Sequence, residues 1–293
     1  MLKIEEKFIA WINKHIELIA FAFVIFAAIW MRIVGRNYMG IDYHYSLYDI
    51  PGNCNSLLFR TFVGFIMARW TDSAIIMLKI LAYLGDLGVA FLTLLLLYKV
   101  KHGLKGLQAL LAATVCLLSP VSLIYSVSGM KIDSVCMCFI LLGLLLYLKK
   151  KMILSVSLMA LSAFIYPAYW PIVIILTVCM SVYQKKKNEF GLQNCAALAV
   201  LFCLLLFSVF WENLGAAHGY YWGKIFVFNP AGDAVYSDIG TWLSGMCKIY
   251  GYFFAMFSLV LSLEYRKLRI PALLLQLLVL MFAGWTQTAH LAL

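Results

Sequence analysis

The feature that most constrains this chain is a series of long, unbroken apolar runs separated by short clusters of lysine and arginine. A helix needs about 20 apolar residues to cross the hydrocarbon core of a bilayer. Within the runs the apolar residues are continuous rather than alternating, which favours helices over barrel strands. Helices and closed barrels are the only structures that satisfy their own backbone hydrogen bonds in lipid. Nine candidate spans follow: 16–34, 74–98, 106–126, 132–148, 152–166, 171–184, 192–211, 242–263 and 271–291. The fifth and sixth are short and read either as full crossings or as a pair of half-depth helices. The predicted fold is therefore all-α, a polytopic bundle forming a single integral membrane domain over 1–293.

Composition excludes the alternatives. The chain is 65% hydrophobic and 12% charged, against roughly half and a quarter in soluble domains. Its formal charge of +10 would suit nucleic acid, but the basic residues are spread in clusters between apolar runs instead of forming one patch. No nucleic-acid partner is expected. The run 16–34 is too long for a signal-peptide core and lacks a small-x-small cleavage site, so it reads as an uncleaved first span. Seven of the eight cysteines fall in apolar runs, with Cys54 in a polar loop. They read as small buried residues, not as a disulfide framework or a zinc site.

The basic clusters set the orientation. Lys3, Lys7 and Lys14 precede the first span; Lys99, Lys101 and Lys105 follow the second; Lys149, Lys150 and Lys151 the fourth; Lys185, Lys186 and Lys187 the sixth; and Arg266, Lys267 and Arg269 the eighth. With nine crossings all five clusters share one side, predicted to be cytoplasmic together with the N-terminus. The short fifth and sixth spans must then go out and return together, turning at Tyr166-Pro167-Ala168-Tyr169-Trp170-Pro171. That composition fits a turn at the outer interface, where amphipathic aromatic side chains gather. Asp42, Asp49, Asp72, Asp133, Glu212, Asp233 and Asp238 fall on the outer side, six of them in two long loops, about 35–73 and 212–241. In the first of them, 57–70 is apolar with two arginines and a terminal tryptophan, the pattern of an interfacial helix or of a lid packed on protein.

Several polar groups could carry chemistry. The densest cluster runs from Arg36 to Asp49 and includes Asp42, His44 and four tyrosines. A carboxylate there could act as a general base toward a sugar hydroxyl, and an arginine fork suits a lipid-linked phosphate. An aromatic belt with ordinary loop acids is the structural alternative. Lys131 and Asp133 stand where the fourth span begins, and Asp133 could simply favour the helix N-terminus. Lys79 and Asp86 lie on one face of the second span, two turns apart. Ionisable groups inside a span are costly: Lys79 is placed to snorkel outward, whereas Asp86 must find a partner or be protonated. Glu212, His218, Lys224, Asp233 and Asp238 lie among aromatic residues in the second loop, and Lys248 near the outer end of the eighth span. No P-loop, nucleotide-binding glycine fingerprint, HExxH or nucleophile elbow is present in the sequence.

Three stretches together resemble the GT-C superfamily of membrane glycosyltransferases, in particular bacterial enzymes that use polyprenyl-phosphate mannose or glucose. They are Gly40-Ile41-Asp42-Tyr43 in the first outer loop, the Lys79-to-Asp86 pattern, and Pro120 through Gly129 to Asp133-Ser134. The resemblance covers about 30–185. In many relatives the last motif reads Gly-Gln-x-Asp, where Met130-Lys131-Ile132 stands here. Relatives are usually longer, which implies a short or C-terminally truncated member.

The resemblance implies a lipid-linked sugar donor at the outer leaflet and a glycan, lipid or protein acceptor. Asp42 would be the catalytic residue, Asp49 and Asp133 supporting acids, and Arg36, Arg60, Lys131 and Lys224 the cations facing the donor phosphate. Some members require a divalent metal and others none. Two further readings stay open: a carrier or flippase for lipid-linked glycans, with Asp86 on the path, and a non-catalytic subunit of a glycan-assembly system.

Overall fold

A computed structural model describes residues 2–35, 69, 74–101, 106–118, 123, 133–165, 169–213, 270, 271, 274 and 277. The described residues form seven helices and no strands: α1 (Leu2–Val34), α2 (Ala74–Lys101), α3 (Gly106–Leu118), α4 (Asp133–Leu148), α5 (Met152–Ile165), α6 (Trp170–Lys186) and α7 (Leu192–Asn213). Six begin within two residues of the predicted spans. The first differs, because α1 starts at Leu2 and carries the helix through the polar segment before residue 16. Glu5, Glu6, Lys7 and Lys14 are too polar for lipid but are good helix formers, so hydropathy marks only the apolar part of the helix. The runs 242–263 and 271–291 lie outside the described residues apart from Pro271, Leu274 and Leu277, as does the segment 57–70 apart from Arg69.

The chain alternates in direction. The turn at 149–151 reverses α4 into α5, with Lys150 at φ 60°. The turn at 187–191 reverses α6 into α7, with Asn188 at φ 57°. Lys150 Nζ lies 3.5 Å from Glu189 Oε1, so the two turns sit side by side. The clusters 149–151 and 185–187 therefore share one end of the bundle, as the charge pattern requires. We call it the lysine end.

Small residues allow close packing. The Ser134 hydroxyl donates to the Ala82 carbonyl (3.1 Å), and the Cys138 thiol to the Gly85 carbonyl (3.3 Å). These pairings advance together along both helices, so α2 and α4 run parallel. A Cβ on Gly85 would lie 2.5 Å from Ser134 Oγ, and one on Gly88 would lie 2.8 Å from Cys138 Sγ. Such small-residue faces let helix backbones approach without a hydrophobic driving force. On the far side of α4, Ser155 donates to the Gly143 carbonyl at 2.7 Å. A Cβ on Gly143 would stand 2.9 Å from the Ser155 carbonyl and against Met159, so α4 and α5 meet almost backbone to backbone.

Among the described residues two helices, His15–Val34 and Lys79–Lys99, are long and apolar enough to cross a membrane. Large apolar side chains face outward along the bundle, among them Leu18, Phe23, Phe26 and Trp30 on α1 and Phe91 on α2. The cysteines divide. Cys116 and Cys136 are buried and Cys138 is partly so, as expected, but Cys179, Cys195 and Cys203 are exposed on the outward faces of α6 and α7. An apolar run does not distinguish the inward face of a helix from its outward one. All six are free thiols; Cys54 and Cys247 lie outside the described residues.

Candidate functional site

The buried charged side chains among the described residues, Arg32, Lys79, Asp86 and Asp133, lie in the half of the bundle away from the lysine end. Asp86 sits on α2 beside Gly85, buried to 1% exposure. Its Oδ2 accepts from Arg32 Nη2 at 2.6 Å and from Arg32 Nε at 3.2 Å. Arg32, near the end of α1, is buried to 3%. Its remaining fork position, Nη1, donates to the carbonyls of Ala28 and Leu117, each at 3.0 Å. Leu117 stands in the last turn of α3, where carbonyls lack helical partners and a cation is favoured. Tyr83 donates to the Arg32 carbonyl at 3.1 Å and lies beneath the guanidinium, 5.8 Å from ring centroid to Cζ. One arginine thus joins α1, α2 and α3.

A second group lies closer to the end of the bundle. Asp133 opens α4, buried to 4% exposure, and accepts from the Tyr169 hydroxyl at 3.1 Å. The next residue, Trp170, donates from its indole to Ser208 Oγ on α7 at 3.0 Å, and its ring meets Phe164 edge-on, 5.5 Å between centroids. Lys79 is one turn before Ala82, the residue whose carbonyl Ser134 caps. The register therefore sets Asp133 within one turn of Lys79 on the α2–α4 pair, and Lys79 lies about 10 Å along the helix axis from Asp86.

Two expectations need correction. Lys79 does not snorkel; it is 4% exposed, because it shares the inward face of α2 with Ala82 and Asp86. Tyr169 and Trp170 are not an interfacial belt. Both are wholly buried, their polar tips held by Asp133 and Ser208 rather than by water.

Arg32 is the buried charged residue that sequence reasoning passes over. The available signal was a guanidinium inside the run 16–34. The expectation that Asp86 needs a partner is met by this residue. Asp42, Asp49, Arg36, Arg60, Lys131 and Lys224 lie outside the described residues. Among the described residues no group of three or more His, Cys, Asp or Glu side chains is positioned to hold a metal.

Chemically, the Arg32–Asp86 pair is a buried unit of opposite charges. The Lys79–Asp133–Tyr169 group carries a cation, a carboxylate and a phenol. Tyr169→Phe is expected to remove the donor to Asp133 and cost about 1–3 kcal/mol, read as a fall in thermal unfolding temperature of the purified protein. An unchanged transition would mean that this hydrogen bond contributes nothing. No family model, curated protein or solved structure matches the chain.

Proposed function

We propose that the chain is a polytopic integral membrane glycosyltransferase of the GT-C type. Its nine spans sit in a bacterial plasma membrane, with the N-terminus and the lysine end cytoplasmic. It moves a sugar from a polyprenyl-phosphate donor to an envelope glycan, lipid or protein acceptor at the outer face. The observation that carries this reading is the gathering of Lys79, Asp86 and Asp133 in the half of the bundle opposite the lysines. Two of the three stretches that carry the family resemblance supply these residues. The outward-facing apolar side chains support a lipid surround, and the shared end of two lysine clusters supports the topology.

In the proposed reaction Asp42 takes the proton of an acceptor hydroxyl. The acceptor oxygen forms a bond to the anomeric carbon, and the bond from that carbon to the lipid phosphate oxygen breaks. The electron pair leaves with the phosphate, which is already a good leaving group. The protein then needs mainly a base and positive charge near the departing oxygens. Arg36, Arg60, Lys131 and Lys224 are the proposed source of that charge. The carrier reading is less well supported: Asp86, which would line the path, is already held by the Arg32 fork.

The test is sugar transfer by the full chain in proteoliposomes supplied with polyprenyl-phosphate hexoses and acceptor membranes. Donor consumption that depends on the chain is expected. No transfer from any hexose donor, with the protein folded, would remove the transferase reading.

A further inference from the structure

The lysine end carries a second polar surface, unrelated to the proposed chemistry. The two neighbouring turns present Lys149, Lys150 and Lys151 on one side and Lys185, Lys186 and Lys187 on the other, all exposed. The only acid within 149–151 and 185–191 is Glu189. It lies at 3.5 Å from Lys150, whose side chain remains 79% exposed. The Lys187 amine is held over the Tyr183 ring at 4.6 Å, and hydrogen bonding to Tyr183 holds its pKa above the usual lysine value. Positive φ at Lys150 and Asn188 gives both turns defined shapes. Directly beside this rim, Leu148, Ile153, Leu154, Phe190 and Leu192 are exposed, Leu192 to 85%.

A soluble anion would use the cations and gain nothing from the apolar residues. A zwitterionic lipid would use the apolar residues but bring a compensating positive charge to the lysines. An anionic phospholipid satisfies both, its phosphate on the amines and its acyl chains on the apolar flank. We infer that the rim formed by the turns 149–151 and 187–191 is a binding site for anionic phospholipid. The site is independent of the transferase reading and requires only that the chain sits in a bilayer. Glu189 moderates it, because it competes with a lipid phosphate for Lys150.

The experiment is native mass spectrometry of the full chain in detergent, titrated with phosphatidylglycerol and, separately, with phosphatidylcholine. Phosphatidylglycerol is expected to bind at least about tenfold tighter, since each lysine near an anionic surface contributes on the order of a fivefold factor. K149Q/K150Q/K151Q is expected to lower phosphatidylglycerol affinity by about tenfold or more, whereas the arginine triple variant keeps it. Glu189→Gln is expected to raise it severalfold, a change that loss of structure would not produce. Leu192→Gln is expected to weaken the phospholipid. Equal affinity for the two lipids, indifference to the glutamine triple variant, or full displacement by millimolar glycerol phosphate would each overturn the lipid assignment. The last result would identify a site for soluble phosphate instead.

Discussion

Arg32→Leu is expected to destabilise the bundle by about 3–5 kcal/mol, the usual consequence of removing one partner from a buried ion pair. A folded domain is held by only about 5–15 kcal/mol in total, so little monodisperse protein should be recovered. The loss is not a matter of charge alone. Asp86 would lose both guanidinium hydrogen bonds, and the Ala28 and Leu117 carbonyls would lose Nη1. Asp86→Leu should be comparably damaging, because it takes away the carboxylate to which both Nη2 and Nε of the buried guanidinium donate. The neutral double variant R32L/D86L should be more stable than either single variant, since it buries neither member of the pair. Thermal unfolding in detergent gives the four corners of the cycle, and the coupling should be large because the residues touch. The charge-reversed variant R32D/D86R should recover less than the neutral one, as an aspartate has no N–H for the two carbonyls. An Arg32→Leu protein that melts within about 2 °C of the parent would show that the pair holds nothing together.

Asp42→Asn is expected to lower sugar transfer by about 10²–10⁴-fold, the contribution typical of a positioned general base. The amide keeps the volume of the side chain and cannot accept the acceptor's proton. In the proposed reaction the donor is held through its phosphate by Arg36, Arg60, Lys131 and Lys224, so the loss should fall on kcat with KM nearly constant. Thermal unfolding should not change. Asp49→Asn serves as the neighbouring control and should reduce transfer far less. If it abolishes transfer while Asp42→Asn does not, the base is Asp49. If neither matters, the first outer loop does not supply the base.

The helices were legible because lipid-length apolar runs, broken by lysines and prolines, leave few alternatives. The pairing of the two lysine-bearing turns was legible as well, since a shared side for the clusters 149–151 and 185–187 demands an out-and-back excursion. The interior was much less so. Lys79 was read from its distance to the helix end, and the small-residue face of α2 that draws it inward becomes visible only with α4 in place. Tyr169 and Trp170 have polar tips that serve equally at a water boundary or against a buried acceptor; Asp133 and Ser208, 36 and 38 residues away, decide between the two. Arg32 disappeared into an otherwise apolar run, because a hydropathy window tolerates one charge and holds no information about a carboxylate 54 residues further on.

That separation has a consequence for biogenesis. Translation proceeds at about 5–20 residues per second, so roughly 3–11 s pass between synthesis of Arg32 and of Asp86, and Leu117 follows later still. In the proposed membrane topology the first helix already needs a place in the bilayer during that interval. Arg32 is suited to the wait: it stands two residues from the end of α1, within reach of the headgroup region. Its guanidinium can stay hydrated until the second helix emerges and then move inward with its partner. Ribosome-stalled products that end before residue 86 should therefore leave α1 shallow in the membrane, and longer ones should seat it.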